Sequence, residues 1–319
     1  MKEFVFEITD LHEQLKIWQT LFGGEIMDNT LHSPLGIVEC YEFDTHDILI
    51  MKAKAKEPWF MKRIQQPDMT FYPIWFTNTF SFSEVMDNVN DLDDFNITKS
   101  NDAGILFTNF SNNIAFESPA IFHNVVVRLR KNLIFEFVPE DHPLVNIFKK
   151  DKPFYWYESF SPAINSLYKQ IMFPPSNYSK KITRNILKAQ SWELISHFFE
   201  KLLNRDKSQF HNIGEAYIDK IQMAKTLLLK NLHKPISLDQ LSQEVGLSKT
   251  SLQKYFKIVF GMSVHKFFQN YRMDMARNMI LSGKCNVGEA AINVGYLHFG
   301  HFSAEFKKKF GVLPSELSQ

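Results

Sequence analysis

The sequence has little that would support secretion, membrane insertion or metal binding. Its 319 residues include only two cysteines, Cys40 and Cys285, which form neither a zinc motif nor a disulfide framework. No apolar run reaches the roughly 20 residues that cross a bilayer, and no basic and apolar leader follows Met1. We therefore expect a cytoplasmic protein that has no membrane segment, no metal site and no other cofactor.

The charge is distributed unevenly along the chain, although the net charge is only +1. Residues 1–150 hold 13 Lys and Arg against 22 Asp and Glu, which gives −9. Residues 151–214 carry +4, and residues 215–319 hold 14 basic against 8 acidic residues, which gives +6. A basic C-terminal end joined to an acidic N-terminal end indicates that the basic end meets a polyanion.

The first 150 residues have the pattern of short strands separated by turns, which is typical of a barrel or a sandwich. The clearest strand begins at Val125, and Lys131-Asn132 predicts a turn before a second strand over Leu133 to Val138. Two segments in this region are predicted helices, Asp10 to Phe22 and Ser83 to Leu92.

The periodicity becomes helical after Ser159. Ser161-Pro162 predicts the start of a helix, and a longer helix is predicted over Ser179 to Asn204. Half of its wheel is apolar in Trp192, Leu194, Ile195, Phe198, Phe199, Leu202 and Leu203. An arc this wide either packs on its own domain alone or also meets a second subunit, and both alternatives stay open. Asn204 to Asn212 is predicted to be a linker.

A pattern typical of a helix-turn-helix occurs twice near the C-terminus. In the first copy Ser237 and Ser248 are predicted N-caps and Gly246 makes the turn. The apolar and small positions return 49 residues later before the turn and 50 residues later after it. The matched positions are Leu238, Leu241, Ser242, Val245 and Gly246 with Val287, Ala290, Ala291, Val294 and Gly295, and Leu252, Phe256, Phe260 and Gly261 with Phe302, Phe306, Phe310 and Gly311. Two matched copies predict two tandem units with one additional residue in the second turn.

One long helix is predicted between the two copies. Ser263 caps it, Gly283 ends it, and an apolar stripe recurs at i, i+4 spacing. The stripe consists of Phe267, Tyr271, Met275 and Met279. A rigid helix fixes the distance between two units, which must be about 34 Å, one turn of DNA, to read one face of a duplex.

Residues 215–319 resemble the DNA-binding domain of the AraC/XylS family of bacterial regulators. The resemblance rests on Ala290–Tyr296, with the sequence AAINVGY, and on Phe302–Pro314, with the sequence FSAEFKKKFGVLP. It implies two helix-turn-helix subdomains joined by a linker helix and inserted in adjacent major grooves. It also implies promoter DNA as a partner and usually activation of transcription together with RNA polymerase.

The position of each residue in the family's motif assigns the residues that face DNA. They are Lys249, Thr250, Gln253, Lys254, His298, Phe299, His301, Lys307 and Lys308. The lysines of the second unit, including Lys309, suit phosphate contacts. The sequence departs from the family at Ala304, where an Arg is common, and at Phe299 and Gly300, which replace polar residues. We therefore expect the first unit to carry most of the specificity and the second mostly to add affinity, while contact with thymine methyls stays open to Phe299.

The resemblance also implies a sensing or dimerisation domain, often a cupin-like β-barrel, ahead of the DNA-binding domain. We expect an α+β multidomain chain with a cupin-like sensor domain over 1–158, a helical dimerisation segment and linker over 159–209, and an all-α double helix-turn-helix domain over 210–319. A metal-binding cupin would show a His-x-His pair, and none occurs before residue 150. The isolated His46, His123 and His142 are interpreted as structural.

Three functions are compatible with this organisation. The favoured one is a homodimeric regulator, an activator, that responds to a small-molecule effector; the alternative is a regulator controlled only by dimerisation or by a protein partner. The third is an enzyme that uses Cys40, but Val38-Glu39-Cys40-Tyr41 has no basic residue to lower the pKa of the thiol. Arg128 and Arg130 share one strand face, where they either face solvent or meet an anionic effector.

Overall fold

The computed structural model of the chain divides into two compact units, of which the first holds most of residues 1–212 and the second Ile213–Gln319. The structure describes residues 2–7, 10–55, 59–64, 70–81, 102–109, 112–116, 120–152, 154–175, 177–210, 213–230, 232–234, 236–281, 283 and 285–317. Residues of the predicted segment 159–209 cluster with the strands of the first unit. Of the described helices, none combines the length and the apolarity that crossing a membrane requires.

Two sheets form most of the first unit. The strands are β1 Lys2–Glu7, β2 Glu25–Met27, β3 Thr30–Ser33, β4 Gly36–Glu42, β5 His46–Ala55, β6 Trp59–Ile64, β7 Phe71–Ser81, β8 Asp102–Thr108, β9 Asn112–Phe116, β10 Ala120–Arg130 and β11 Tyr155–Ser159. An eight-stranded antiparallel sheet has the order β11-β8-β7-β10-β5-β4-β3-β2, and a three-stranded sheet has the order β1-β6-β9. Among the described strands β11 does not pair with β2, so the large sheet is open and the cupin-like barrel stays a prediction.

Among the described residues, four α-helices accompany the strands of the first unit and six belong to the second. They are α1 Leu11–Phe22, α2 Pro143–Lys149, α3 Pro162–Met172, α4 Lys180–Leu203, α5 Glu215–Leu229, α6 Leu238–Glu244, α7 Lys249–Phe260, α8 Val264–Leu281, α9 Val287–Asn293 and α10 Phe299–Phe310. The side chains of Asp10, Ser161 and Ser179 accept backbone hydrogen bonds at the starts of α1, α3 and α4. The predicted starts are confirmed, whereas the predicted helix over Ser83 to Leu92 lies outside the described residues.

The predicted hairpin over Val125 to Val138 is only half correct. Its first strand is part of β10, but Lys131–Glu136 forms a 3-10 helix instead of a second strand. The reason is that β10 already pairs with β5 on one side and with β7 on the other, so no edge is left for a hairpin partner. Phe137 follows the 3-10 helix and stacks on Phe199 of α4, with 4.9 Å between ring centroids.

The two faces of the large sheet are both covered by helices. On one face Phe122 and Val126 of β10 belong to an apolar cluster with Trp18 of α1. On the other face the rings of Phe76 and Phe107 contact Phe198 of α4, at centroid distances of 6.3 and 5.4 Å. The sheet therefore lies in the middle of three layers, a common way to bury both faces of a sheet.

The wide apolar arc of α4 is used within its own unit. Leu194, Ile195, Phe198, Phe199 and Leu202 are all at most 1% exposed. Of the two alternatives for this arc, packing on its own unit accounts for these residues. Dimerisation through Phe198 and Leu202 is therefore wrong, because neither side chain is available to a second subunit.

The predicted linker Asn204 to Asn212 is packed against the first unit over most of its length. Arg205 is buried and its Nε donates to Glu158 Oε1 at 2.5 Å, while its Nη2 donates to the Tyr157 carbonyl at 2.5 Å. Lys207–Gln209 forms a short 3-10 helix, and Phe210 after it is buried. The guanidinium of Arg205 and the carboxylate of Glu158 are buried together.

Candidate nucleic-acid interface

The first helix-turn-helix consists of α6 and α7. A capping box starts α6, in which the Ser237 hydroxyl accepts from the Gln240 backbone and Gln240 reaches back to Ser237. Gly246 makes the turn at φ 61°, a conformation that glycine adopts without strain. Ser248 then caps α7 by accepting from the Ser251 backbone N–H at 3.1 Å. All three predicted signals of this unit are confirmed.

The second unit repeats the first with the spacing that the sequence predicts. Both ends of α9 lie 49 residues after those of α6, and both ends of α10 lie 50 residues after those of α7. Asn286 and Glu289 form the matching capping box, and Gly295 makes the turn at φ 79°. The additional residue therefore lies in the second turn. The tandem repeat is confirmed as two structural units.

The two helices of each unit cross over small residues. Ser242 and Ala291 occupy the matched crossing positions and are at most 5% exposed. In the first unit Leu241, Leu252 and Phe256 are buried, and in the second Phe302 and Phe306 join one cluster with Ala291. Small side chains at the crossing let the backbones approach, so each pair of helices is held at a fixed angle.

The long helix α8 packs on both helix-turn-helix units. Lys266 N donates to the Ser263 hydroxyl at its start, as predicted. The ring of Phe267 lies 4.7 Å from that of Phe260 in the first unit, whereas Met273 and Ile280 belong to the apolar cluster of the second. The predicted stripe is only partly correct, because Tyr271, Met275 and Met279 are half-buried. The buried residues of α8 beside Phe267 are Val264, Phe268, Met273, Ala276 and Ile280. At a rise of 1.5 Å per residue, the 18 residues of α8 are about 27 Å long.

Polar contacts fix α8 to the second unit. Arg272 donates to the Val294 carbonyl at the turn, and its guanidinium lies 4.2 Å from the centroid of the Tyr296 ring. Lys309 Nζ donates to the Asn270 carbonyl at 2.6 Å and forms an ion pair with Asp274 at 2.5 Å. Lys309, a candidate for phosphate contact in the sequence, is therefore engaged within the protein. Polar contacts therefore attach α8 to the turn before α10 and to the end of α10.

The residues predicted for the first recognition helix all lie on its open face. Lys249, Thr250, Gln253 and Lys254 are exposed on α7. Lys249 forms an ion pair with Asp239 of α6, and Lys254 Nζ lies 5.5 Å from the centroid of the Tyr255 ring. Gln253 has its amide directed away from the core by the burial of Leu252 and Phe256. This face offers amide and ammonium donors, the groups that pair with acceptors in a major groove.

The residues predicted for the second recognition helix are exposed as well, but they are chemically different. His298, Phe299, His301, Lys307 and Lys308 are all exposed. His298 is the N-cap residue of α10 and makes no capping hydrogen bond with its side chain. The ring of His301 stacks on Tyr296 at 5.7 Å between centroids. Basic side chains therefore lie at the end of α10, and its start is dominated by Phe299.

Two exposed apolar residues next to this helix were missed in the sequence. Leu297 is 86% exposed and Ile292 is 53% exposed. The available signals in the sequence are the position of Leu297 in the longer second turn and the polar Gln243 at the position that matches Ile292.

The two candidate arginines of the N-terminal compact unit, Arg128 and Arg130, make contacts within that unit. Arg128 is 4% exposed and its Nη2 lies 2.6 Å from Asp47 Oδ2, so neither solvent exposure nor an open anion site applies to it. Arg130 donates to the Asp44 carbonyl at 3.0 Å. Long-range pairing with β5 brings Asp47 beside Arg128, a neighbour that local sequence does not reveal. The alternative that Arg128 meets an anionic effector is therefore not supported.

The histidines and Cys40 have structural surroundings. His46 Nε2 lies 2.6 Å from the Ser191 hydroxyl, and His142 Nδ1 accepts from the Leu144 N–H at 3.3 Å. His123 is fully buried. Burial raises the pKa of the Cys40 thiol to about 12, so the reactive thiolate is not formed at neutral pH. Among the described residues, no group of three or more His, Cys, Asp or Glu is placed to hold a metal ion.

Comparison with known proteins places the C-terminal part of the chain. Residues 241–319 match the family model described as a helix-turn-helix domain. The transcriptional regulator ArgR of Pseudomonas aeruginosa is 26% identical over 129 residues, which are 40% of this chain and 39% of that protein. The xylose operon regulatory protein of Escherichia coli is 30% identical over 83 residues, which are 26% of this chain and 21% of that protein. The chain thus spans well under half the length of these relatives.

A solved structure is similar over the same region. It is a probable AraC family transcriptional regulator from Rhodopseudomonas palustris, 27% identical, and the match covers 32% of this chain and 95% of that one with a TM-score of 0.30. Residues 241–319 of this chain are therefore similar to a helix-turn-helix domain.

Proposed function

We propose that this chain, whose C-terminal part is a helix-turn-helix domain of the AraC type, is a sequence-specific regulator that binds promoter DNA. One observation carries the proposal, namely two matched helix-turn-helix units attached to one rigid helix. The length of α8, about 27 Å, is of the order of one turn of DNA, so two recognition helices reach adjacent major grooves on one face. The net charge of +6 over residues 215–319 favours a polyanion.

The roles of the exposed side chains follow from their chemistry. We assign hydrogen bonds with base edges to Gln253 and Lys254, since an amide pairs with adenine and an ammonium group donates to guanine. Lys307 and Lys308, at the end of α10, are assigned to phosphates, which position the protein without specifying sequence. Lys249, Thr250, His298, Phe299 and His301 complete the proposed interface.

The N-terminal compact unit, which holds most of residues 1–212, is proposed to control the C-terminal unit, Ile213–Gln319. In the favoured form of the proposal the protein is a cytoplasmic homodimer that activates transcription with RNA polymerase when a small-molecule effector binds the first unit. In the alternative form, dimerisation or a protein partner replaces the effector. The separate core of the first unit supports a distinct role, and native mass spectrometry of the purified chain distinguishes the two forms by the presence or absence of a co-purified small molecule.

Selection from a random DNA pool tests the proposed function. We expect the full chain to enrich a site with two half-sites about one turn apart, and residues 210–319 alone to fold and bind the same site. Lys308→Glu should abolish enrichment, whereas Lys181→Glu is the matched control, since Lys181 is exposed on α4 of the first unit. No enrichment by the wild-type chain, or equal binding by both variants, contradicts the proposal.

A further inference from the structure

The two helix-turn-helix units differ at one contact between their helices, although they match closely elsewhere. In the first unit Lys249 at the start of α7 forms an ion pair with Asp239 in the first turn of α6. The matched residues, at offsets of 50 and 49, are Phe299 and Gly288. A methyl group added to Gly288 would lie only 3.0 Å from Cζ of Phe299, so the ring rests directly on α9. An apolar contact thus replaces an ion pair.

Phe299 is part of a larger apolar surface that the protein leaves open. Its side chain is 49% exposed, and Leu297, just before the N-cap of α10, is 86% exposed. Ile292 lies one helical turn after Gly288 on α9, on the side that carries the ring, and is 53% exposed. We call Ile292, Leu297 and Phe299 the apolar patch. In the first unit the positions of Ile292 and Phe299 are held by the polar residues Gln243 and Lys249.

The place of the apolar patch indicates what covers it. The patch surrounds the N-terminus of α10, and the N-terminal residues of a recognition helix are those that contact base edges in the major groove. Exposed Lys307 and Lys308 follow on the same helix, which suits a polyanionic surface. The apolar group that base pairs present in the major groove is the thymine methyl. Gly300 has open space around it, so the backbone beside Phe299 allows a close approach.

We propose that the apolar patch selects thymines in the half-site under the second unit by contact with their 5-methyl groups. The inference rests on the proposed function, because it requires that the chain binds DNA. The first helix-turn-helix unit then recognises its half-site by hydrogen bonds with base edges. The second recognises its half-site by burying apolar surface against thymine methyl groups. Each methyl group covered on binding strengthens the complex about fourfold, the factor expected for burying one CH2 group.

Replacement of thymine by deoxyuridine tests the proposal, because uracil lacks only the methyl group and keeps the hydrogen-bonding pattern. The full chain is first used to select its site from a random pool. Thymines in the second half-site are then replaced, and the dissociation constants of the two duplexes are compared by fluorescence anisotropy. We expect binding to weaken about fourfold for each contacted methyl group.

Variants connect this effect to the apolar patch. Leu297→Ser alters a side chain that is 86% exposed and so leaves the fold intact. The double variant Gly288→Asp with Phe299→Lys restores the pair found in the first unit. Both should lower the uracil-to-thymine ratio of dissociation constants towards one. Val312→Ser, at an exposed apolar residue outside the patch, should keep the wild-type ratio.

Two results would overturn the inference. One is a wild-type chain that binds its selected site tightly but does not distinguish uracil from thymine, as expected if the patch docks on a protein instead. The other is a Leu297→Ser chain and a double variant that both keep the full ratio. Failure of the wild type to enrich any DNA is a different outcome, since it removes the proposed function together with the inference.

Discussion

Lys249 and Asp239 form an ion pair that connects the first turn of α7 to the first turn of α6. Both side chains are more than half exposed, so the pair adds little to the stability of the fold. Its effect concerns the surface instead, because it places a carboxylate beside Lys249, which belongs to the proposed DNA interface.

Removing this carboxylate should tighten DNA binding. We expect Asp239→Asn to lower the dissociation constant by about two- to fivefold at low salt and by less at high salt, since one repulsion is removed and salt screens it. The control is Glu244→Gln, at the exposed end of the same helix. Weaker binding by Asp239→Asn would show that the ion pair is needed to orient Lys249.

Gly246 and Gly295 should respond differently to alanine, although both have positive φ. At Gly246 an added methyl group meets only Lys220 Nζ at 3.5 Å, so the cost is the strain of the left-handed conformation, about 1–2 kcal/mol. At Gly295 it would lie 2.6 Å from the Leu232 carbonyl oxygen, which adds about 1–3 kcal/mol of overpacking. Thermal unfolding followed by circular dichroism measures both. Equal losses would contradict the close packing around the second turn.

Gln253 and Lys308 should separate specificity from affinity. Gln253→Ala is expected to cost about 1–3 kcal/mol at its preferred base pair and to relax the preference there. Lys308→Ala should weaken binding about equally on all sequences and reduce the salt slope by about one. Binding to a panel of single-base variants at several salt concentrations gives both quantities. A salt slope unchanged by Lys308→Ala would exclude a phosphate contact.

Local signals explain which parts of the fold and the interface the sequence predicts. The helix starts at Asp10, Ser161, Ser237 and Ser248 depend only on residues within one turn, and each is found where it is predicted. The recognition helices were predicted for the same reason, and a second copy of the pattern, at offsets of 49 and 50 residues, supports the prediction from within the chain.

Long-range contacts explain what the sequence did not reveal. Arg128 is buried because Asp47, 81 residues earlier, pairs with it across the sheet. The predicted strand after Lys131 fails because β10 has neighbours on both sides. Similarly, the apolar arc of α4 packs against aromatic residues that are distant in sequence, such as Phe76 and Phe107. Hydrophobic periodicity identifies a buried face but not its partner.

His46 should make the stability of the N-terminal compact unit depend on pH. Burial and the nearby Lys188 lower its pKa to about 4, whereas the pKa of an unfolded histidine is 6.5. The folded state therefore favours the neutral ring, and this stabilisation is complete above pH 6.5 and is lost as the pH falls towards 4. Between pH 7 and pH 5 we expect a loss on the order of 2 kcal/mol. Urea unfolding of the wild type and of His46→Gln, in which this dependence should flatten, measures it.

Two substitutions in α4 should distinguish folding from assembly. Phe198→Ala is expected to destabilise the first unit by about 3–5 kcal/mol, because its ring is fully buried. Ile182 is 50% exposed near the start of the same helix, so Ile182→Glu should leave the unfolding midpoint unchanged and lower any self-association. Sedimentation velocity at micromolar concentration reports the second effect. A wild-type chain that is monomeric there would count against the proposed dimer.

The single helix α8 determines the rotational phase of the two recognition helices as well as their distance. Each residue added to its middle would turn the second unit by about 100° around the helix axis and move it about 1.5 Å along that axis. Seven residues would nearly restore the phase and lengthen the helix by about 10.5 Å, roughly the rise of three base pairs. The number of residues in α8 therefore determines the distance between the recognition helices and their relative rotation together, so neither can be changed without the other by altering the length of this helix.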